Sequence, residues 1–257
     1  MTSIHHAAAD GFSKQAEAYS RGRPEYPAAL LPWLADELGI QPAQQVLDLG
    51  AGTGKFTRLL TQTGARVSAV EPVEAMRLQL AQALPDVAAL PGTAESIPLP
   101  DASVDVVACA QAFHWFSTHA ALAEIHRVLK PGGKLLLVWN VRDETVDWVA
   151  EITRLITPYE GDTPRFYKGE WRNVFPAPGF GPLVEHSLPY FHSGPAERVV
   201  LDRIMSVSFI AALPAAEQVR VRAALEDLIA RHPALAGQAE VHFPYATQVF
   251  TSMKLTA

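Results

Sequence analysis

Cysteine is almost absent from this chain of 257 residues: Cys109 stands alone, so no disulfide can form within it. A chain without disulfides agrees with a reducing compartment. The neighbours Val107, Ala108 and Ala110 are small and apolar, which predicts a buried core thiol. No run of about eighteen apolar residues occurs, so the pattern of a membrane-spanning helix is missing. The N-terminal Met1-Thr2-Ser3-Ile4-His5-His6 lacks the basic stretch and apolar core of a secretory signal, and the expectation is a cytoplasmic protein with no membrane partner. Basic charge is in deficit, with Lys+Arg 21 against Asp+Glu 27 and a net charge of −6. The basic residues are dispersed, which argues against nucleic acid as a partner. The nine histidines and the acids show no metal-ligand spacing, so no metal is expected. There is also no G-x-S-x-G elbow to support hydrolase chemistry.

What is present is a globular composition, 49% hydrophobic and 19% charged, in a length that fits one large domain. Residues 10–39 carry helical spacing, broken at Pro24 and Pro27 and stopped by Gly39. Strands then alternate with helices. Val46 to Leu49, Arg66 to Val70, Val87 to Leu90, Val104 to Ala110 and Lys134 to Trp139 read as strands. Between them, Phe56, Leu59 and Leu60, then Val73, Met76, Leu80 and Leu84, then Leu122, Ile125, Val128 and Leu129 keep a helical period. This alternation predicts an α/β fold with a doubly wound, mostly parallel sheet. Leu183 to His192 and Tyr245 to Leu255 read as two late strands, separated by helices near 195–212 and 214–231. The expected organisation is a single domain: a helical cap over 1–40, a cofactor-binding core over 41–140, a helical lid and acceptor insertion over 141–182, and C-terminal strands and helices over 183–257.

In such sheets ligands sit at the carboxyl ends of the strands where the strand order reverses, so the loop after the first strand is the prime location. Gly50, Gly52 and Gly54 lie there. A phosphate-cradling loop, G-x-x-x-x-G-K-[ST], fails because Leu49 and Phe56 occupy two of its fixed positions. A dinucleotide fingerprint, G-x-G-x-x-G, fails at Lys55, three residues after Gly52. The pattern is instead Asp48-x-Gly50-x-Gly52-x-Gly54. A carboxylate at the strand end repels a pyrophosphate and suits a ligand carrying an ammonium and a sulfonium. Glu71 ends the next strand, where a carboxylate can accept hydrogen bonds from both hydroxyls of a free ribose. Together these describe a nucleoside ligand without phosphates.

The run Val46-Leu47-Asp48-Leu49-Gly50-Ala51-Gly52-Thr53-Gly54 resembles the first motif of class I S-adenosylmethionine-dependent methyltransferases of the type 11-like group. The resemblance continues in Val70-Glu71-Pro72, in Gly92-Thr93-Ala94-Glu95-Ser96-Ile97-Pro98-Leu99-Pro100-Asp101, in Val104 to Ala110 and in Leu129-Lys130-Pro131-Gly132-Gly133. It implies a Rossmann-like, seven-stranded methyltransferase fold and S-adenosyl-L-methionine as cofactor, released as S-adenosyl-L-homocysteine. By the resemblance, Asp48, Gly50, Ala51 and Gly52 line the methionine end, Glu71 and Pro72 the ribose, and Met76, Thr93, Ala94 and Glu95 the adenine. Similar sequences often carry an acidic residue where this one has Thr93. The segment Tyr19-x-x-x-Arg23-Pro24-x-Tyr26-Pro27 resembles the N-terminal cap of a subgroup that includes trans-aconitate methyltransferase-like proteins, which implies that Tyr19 and Arg23 reach the cofactor carboxylate.

The fourth strand runs out at Gln111-Ala112-Phe113-His114-Trp115-Phe116, on the same sheet edge as the glycine loop. Gln111 and Ala112 are placed to touch the cofactor, and Phe113, Trp115 and Phe116 to exclude water and stack on an acceptor. His114 is the titratable base of that loop, or else holds it by a hydrogen bond. Trp148, Tyr159, Arg165, Tyr167 and Trp171 are further candidates for the acceptor wall, with Arg165 or Arg172 available to an acidic acceptor. The expected function is methylation of a small molecule at O, N or C, a carboxylate or an aromatic metabolite, by a monomer or homodimer. An NAD-dependent oxidoreductase and a non-catalytic S-adenosylmethionine-binding module remain as alternatives.

Overall fold

Successive residues of the central strands bury on opposite faces of one sheet, and this sets the architecture. The computed structural model describes residues 22–256; Tyr19 and most of the expected helical cap lie outside the described residues. The strands are β1 (Gln45–Leu49), β2 (Arg66–Val70), β3 (Ala88–Leu90), β4 (Val104–Ala110), β5 (Leu129–Arg142), β6 (Val184–Gly194) and β7 (Val241–Met253). They form one seven-stranded sheet in the order β3-β2-β1-β4-β5-β7-β6. β1 to β5 are mutually parallel, and β7 runs antiparallel to both β5 and β6. Strand order reverses between β1 and β4, which places the glycine loop at the switch point.

On one face Leu47, Leu49, Val107, Cys109, Leu135, Leu137 and Trp139 share a core with Phe113, Ile125, Trp171 and Phe250. On the other, Val46, Val106, Ala108, Leu136 and Val138 pack with Leu30, Leu34, Phe56 and Leu60. The period of two puts neighbouring residues on opposite faces, and both faces are covered, as a parallel sheet requires. The covering helices are α1 (Leu30–Asp36), α2 (Lys55–Thr61), α3 (Glu74–Ala83) and α4 (His119–Val128). Thr118 caps α4 by accepting the Ala121 N–H at 3.0 Å. Cys109 is fully buried, and burial raises its thiol pKa well above the ordinary value, so it is an inert core residue.

A further cluster joins α5 (Asp147–Ile156) to the C-terminal helices. Trp148, Val149, Ile152 and Ile156 pack on Val199, Val200, Ile204, Leu225, Leu228 and Phe243. The helix expected over 195–212 is broken into a π-helical turn (Glu197–Asp202), α6 (Arg203–Met205) and α7 (Ser208–Ala211); α8 (Ala215–Arg231) follows. The late strands start and stop within a few residues of expectation. β7 begins four residues earlier, at Val241, because Pro244 is accommodated inside it opposite Phe191, where its carbonyl accepts the Asp143 N–H. Among the described residues no helix is long and apolar enough to cross a membrane, and no group of three or more His, Cys, Asp or Glu forms a metal cluster.

Candidate active site

The loop after β1 turns through left-handed backbone at Gly50 (φ 73°), Gly52 (φ 57°) and Gly54 (φ 85°), a region that L side chains rarely adopt. A Cβ on Gly50 would also stand 2.8 Å from the Ala112 Cβ and 3.2 Å from the Phe116 ring. Glycine there lets the end of β1 approach the end of β4. The N–H groups of Gly50 and Ala51 donate to the Val70 carbonyl at 2.8 and 3.2 Å, tying the loop to β2.

Two buried acids flank this loop. Asp48 is fully buried on β1; its Oδ2 accepts the Thr57 hydroxyl at 2.6 Å, while Oδ1 is buried with no hydrogen-bond partner. Burial pushes the Asp48 carboxyl up to about 7, and the nearby Glu71 charge adds to the rise. Glu71, at the end of β2, accepts the Gly52 N–H on Oε2 and the Val73 N–H on Oε1, both at 2.8 Å. Burial raises its pKa against those two backbone bonds. Each carboxylate oxygen retains a second acceptor position. An orphaned carboxylate oxygen on Asp48 and a fixed Glu71 carboxylate with spare lone pairs are groups that suit an ammonium and a vicinal diol.

Both acids line a cavity of about 330 Å³. Around it stand Arg23, Asp48, Gly50, Ala51, Gly52, Glu71 and Pro72 from the expected site, together with Met76, Thr93, Ala94, Glu95, Gln111 and Ala112. Every one of the expected cofactor contacts within the described residues therefore reaches the same space. Trp115 and Phe116 complete the wall. Gln111 holds φ 58°, an unusual conformation for a non-glycine residue, and its N–H donates to the Val138 carbonyl at 2.8 Å. That turn carries the chain out of β4 between two cavities, as such backbone often does at functional sites.

The second cavity, about 100 Å³, shares Arg23, Gln111, Trp115 and Arg203 with the first. His114, Trp139, Asn140, Arg142, Arg165 and Tyr167 also line it. The Trp139 indole N–H donates to Nδ1 of His114 at 3.0 Å. Burial, with Arg165 and Arg23 nearby, pushes the imidazole down to about 3, so it is neutral at physiological pH and carries its proton on Nε2. The expectation of a general base at His114 is corrected on this geometry: one nitrogen is taken by Trp139 and the environment opposes a positive ring.

Three expected acceptor contacts are corrected as well. Phe113 is fully buried against Phe116, Trp171 and Phe175 because a 3-10 turn over Phe113–Trp115 rotates its ring back into the core. Trp171 is 1% exposed, stacked among Trp139, Phe166 and Phe250, and its indole N–H donates to the Phe166 carbonyl. Trp148 packs edge-on against Phe243 in the C-terminal helical cluster. None of the three lines either cavity. Tyr159 packs beside that same cluster, and Arg172 lies over the Trp171 and Phe250 rings and pairs with Glu185. Tyr167 does line the second cavity, with its hydroxyl donating to Glu160 at 2.5 Å.

Sequence reasoning missed Arg203, Arg142 and Asn140. Asn140 donates to the Glu25 carbonyl at 2.8 Å and accepts the Thr247 hydroxyl at 2.7 Å, joining the N-terminal segment to β5 and β7. Arg203 donates to the Tyr245 hydroxyl at 3.0 Å and follows the π-helical turn. No local motif announces it, since its partners are distant in sequence; the polar Asn140 and Arg142 at the carboxyl end of an apolar strand were the available signal.

Comparison with known proteins agrees with this geometry. The family model described as a methyltransferase domain matches residues 47–137. An uncharacterised methyltransferase-like protein of Schizosaccharomyces pombe is 39% identical over 245 residues, 95% of this chain and 95% of that protein. Among solved structures, a putative type II methyltransferase from Anaeromyxobacter dehalogenans superposes with a TM-score of 0.65 at 27% identity, covering 91% of this chain and 99% of that one. A phosphoethanolamine N-methyltransferase of Haemonchus contortus, solved with S-adenosyl-L-methionine, shares the fold at 16% identity and a TM-score of 0.56, covering 100% of this chain and 61% of its own. The chain belongs to the class I S-adenosylmethionine-dependent methyltransferases.

Proposed function

We propose that the protein binds S-adenosyl-L-methionine in the cavity between Asp48 and Glu71 and methylates a small molecule that enters beside Gln111 and Trp115. The observation that carries this reading is the pair of buried acids on either side of one glycine loop, both facing one cavity. When bound, the cofactor supplies an electrophilic methyl group on a sulfonium. Asp48 and Arg23 bind its amino-acid end, Glu71 grips the ribose, and Met76, Ala94 and Glu95 border the base.

The oxidoreductase alternative loses ground on two hydrogen bonds. A dinucleotide site needs loop N–H groups free to face a pyrophosphate, and here the Gly52 N–H is committed to Glu71 while Gly54 donates to the Ala51 carbonyl at 3.0 Å.

The acceptor's side of the site is built for alignment and water exclusion. Trp115 lines both cavities, Phe116 lines the larger one, and Gln111, shared by both, is locked there by its backbone. In-line displacement on a sulfonium gains most of its rate from such positioning. His114, neutral and held by Trp139, acts as a hydrogen-bond donor from Nε2 rather than as a base. Methyl transfer here is therefore suited to an acceptor whose attacking atom is already deprotonated. Incubation with S-adenosyl-L-methionine and a metabolite extract, read by mass spectrometry, tests the function. A product heavier by one methyl group, absent with Glu71→Ala, is expected; no methylated product with bound cofactor would favour the non-catalytic module.

A further inference from the structure

The second cavity, about 100 Å³ against about 330 Å³ for the first, is walled by several copies of one side chain. Among the described residues, Arg142, Arg165 and Arg203 line this space beside Arg23, with Glu144 as the lining carboxylate. Glu144 is exposed and accepts the Thr153 hydroxyl at 2.8 Å. Glu160, close behind, is shared: Lys168 lies 3.0 Å from it, the Tyr167 hydroxyl donates to it at 2.5 Å, and Arg165 stands at 4.0 Å. Among the described residues, these acids therefore leave the charge of Arg142, Arg165 and Arg203 only partly matched.

The donors themselves are incomplete. Arg203 is 7% exposed, donates from Nε to Tyr245, and has its Nη1 buried with no hydrogen-bond partner. Nη1 of Arg142 is buried and unpartnered too. Buried charged donors without acceptors are costly and rarely left so. Mutual repulsion is visible as well: burial and the neighbouring Arg142 push Arg165 down to about 10, and burial with Arg203 lowers Arg142. The neutral His114 presents Nε2–H from the same wall.

We infer that Arg142, Arg165 and Arg203 form an anion-binding subsite that holds a carboxylate or phosphate group of the methyl acceptor, with the acceptor's remainder reaching past Gln111 and Trp115 toward the larger cavity. Guanidinium forks match either oxyanion bidentately, and a group of that size fits the space. The inference rests on the methyl-transfer reading for its acceptor, but the anion site stands on its own residues. It also narrows the substrate class to anionic small molecules, and makes neutral aromatic acceptors poor ones.

The test uses the protein saturated with S-adenosyl-L-homocysteine and titrated with succinate, with inorganic phosphate, and with succinamide as the uncharged control, at matched ionic strength. Stabilisation by succinate or phosphate and none by succinamide is expected, and the stronger of the two anions assigns a carboxylate or a phosphoester. Arg142→Gln and Arg165→Gln, which line only the second cavity, should each weaken the anion roughly tenfold and leave S-adenosyl-L-homocysteine affinity within about twofold. Equal response to succinamide, no response to either anion, or unchanged anion affinity in both variants would overturn the subsite. A parallel loss of S-adenosyl-L-homocysteine affinity would overturn it too, by assigning the arginines to the cofactor carboxylate. Should S-adenosyl-L-homocysteine itself not bind the native protein, the methyl-transfer reading fails separately, and the same titration on ligand-free protein still decides the subsite. Where a variant does not fold, the comparison of anion with amide on the native protein decides alone.

Discussion

Gly52 donates its backbone N–H to Oε2 of Glu71 at 2.8 Å, so the acid that ends β2 holds the loop that follows β1. The same carboxylate receives Val73 on its other oxygen. Glu71 is thus fixed before any ligand arrives. Glu71→Ala should weaken S-adenosyl-L-homocysteine binding by about 1–3 kcal/mol, because charge-assisted bonds to the ribose are lost together with the loop's anchor. Isothermal titration measures it, and native affinity in the variant would remove Glu71 from the ribose.

Asp48 links binding to pH. Its folded pKa of about 7 stands above the ordinary 3.8, so the folded chain holds a proton that the unfolded chain has released over that interval. Stability attributable to this group is greatest below about 4 and falls as pH rises toward 7, by up to roughly 4 kcal/mol. Asp48→Asn should remove that slope, seen as a smaller fall in unfolding free energy between pH 5 and 8 than the native protein shows. An ammonium bound beside Asp48 favours its ionised form, so binding S-adenosyl-L-homocysteine at pH 6 should release protons, measured by titration in buffers of different ionisation enthalpy. Release absent in the native protein, or unchanged in Asp48→Asn, would refute the assignment.

His114 should remain neutral down to about pH 4, with Nδ1 unprotonated and Nε2 protonated. Nitrogen chemical shifts of a histidine-labelled protein report both. Because the folded pKa lies below the unfolded one, the unfolded chain takes up the proton first, and the protein loses stability as pH falls below about 6.5. His114→Gln should flatten that acid limb. An imidazolium at pH 6 would contradict the neutral ring that accepts the Trp139 N–H on Nδ1.

Gly50→Ala places a Cβ 2.8 Å from that of Ala112 at a backbone φ of 73°. The strain alone costs about 1 kcal/mol, and the overlap adds to it. A drop in thermal stability and in S-adenosyl-L-homocysteine affinity is expected, with the double variant Gly50→Ala, Ala112→Gly recovering part of both; strict additivity of the two changes would show that the strands do not meet there.

The sheet and the cofactor side were legible because they are written locally. Asp48, the alternate glycines and Glu71 lie at strand ends that period-two burial and glycine punctuation define, and β1 to β5 follow from short apolar runs. The acceptor side is assembled from afar. Arg203 reaches the cavity from a helical segment broken by a π-helical turn, Arg142 from an extension of β5, and neither carries a pattern that spacing can reveal. Phe113, three residues past the end of β4, reads from the sequence as a wall residue; a 3-10 turn reverses its direction, and the aromatic cluster around Trp171 claims it. Residue type alone suggests acceptor contacts at Trp148 and Trp171, and their size draws them into the cores instead.

Titration of the native protein with S-adenosyl-L-homocysteine and, separately, with NADH tests the central assignment most directly. Saturable binding of S-adenosyl-L-homocysteine that Glu71→Ala weakens, with no heat from NADH, is the expected result. Binding of NADH with none of S-adenosyl-L-homocysteine would contradict it.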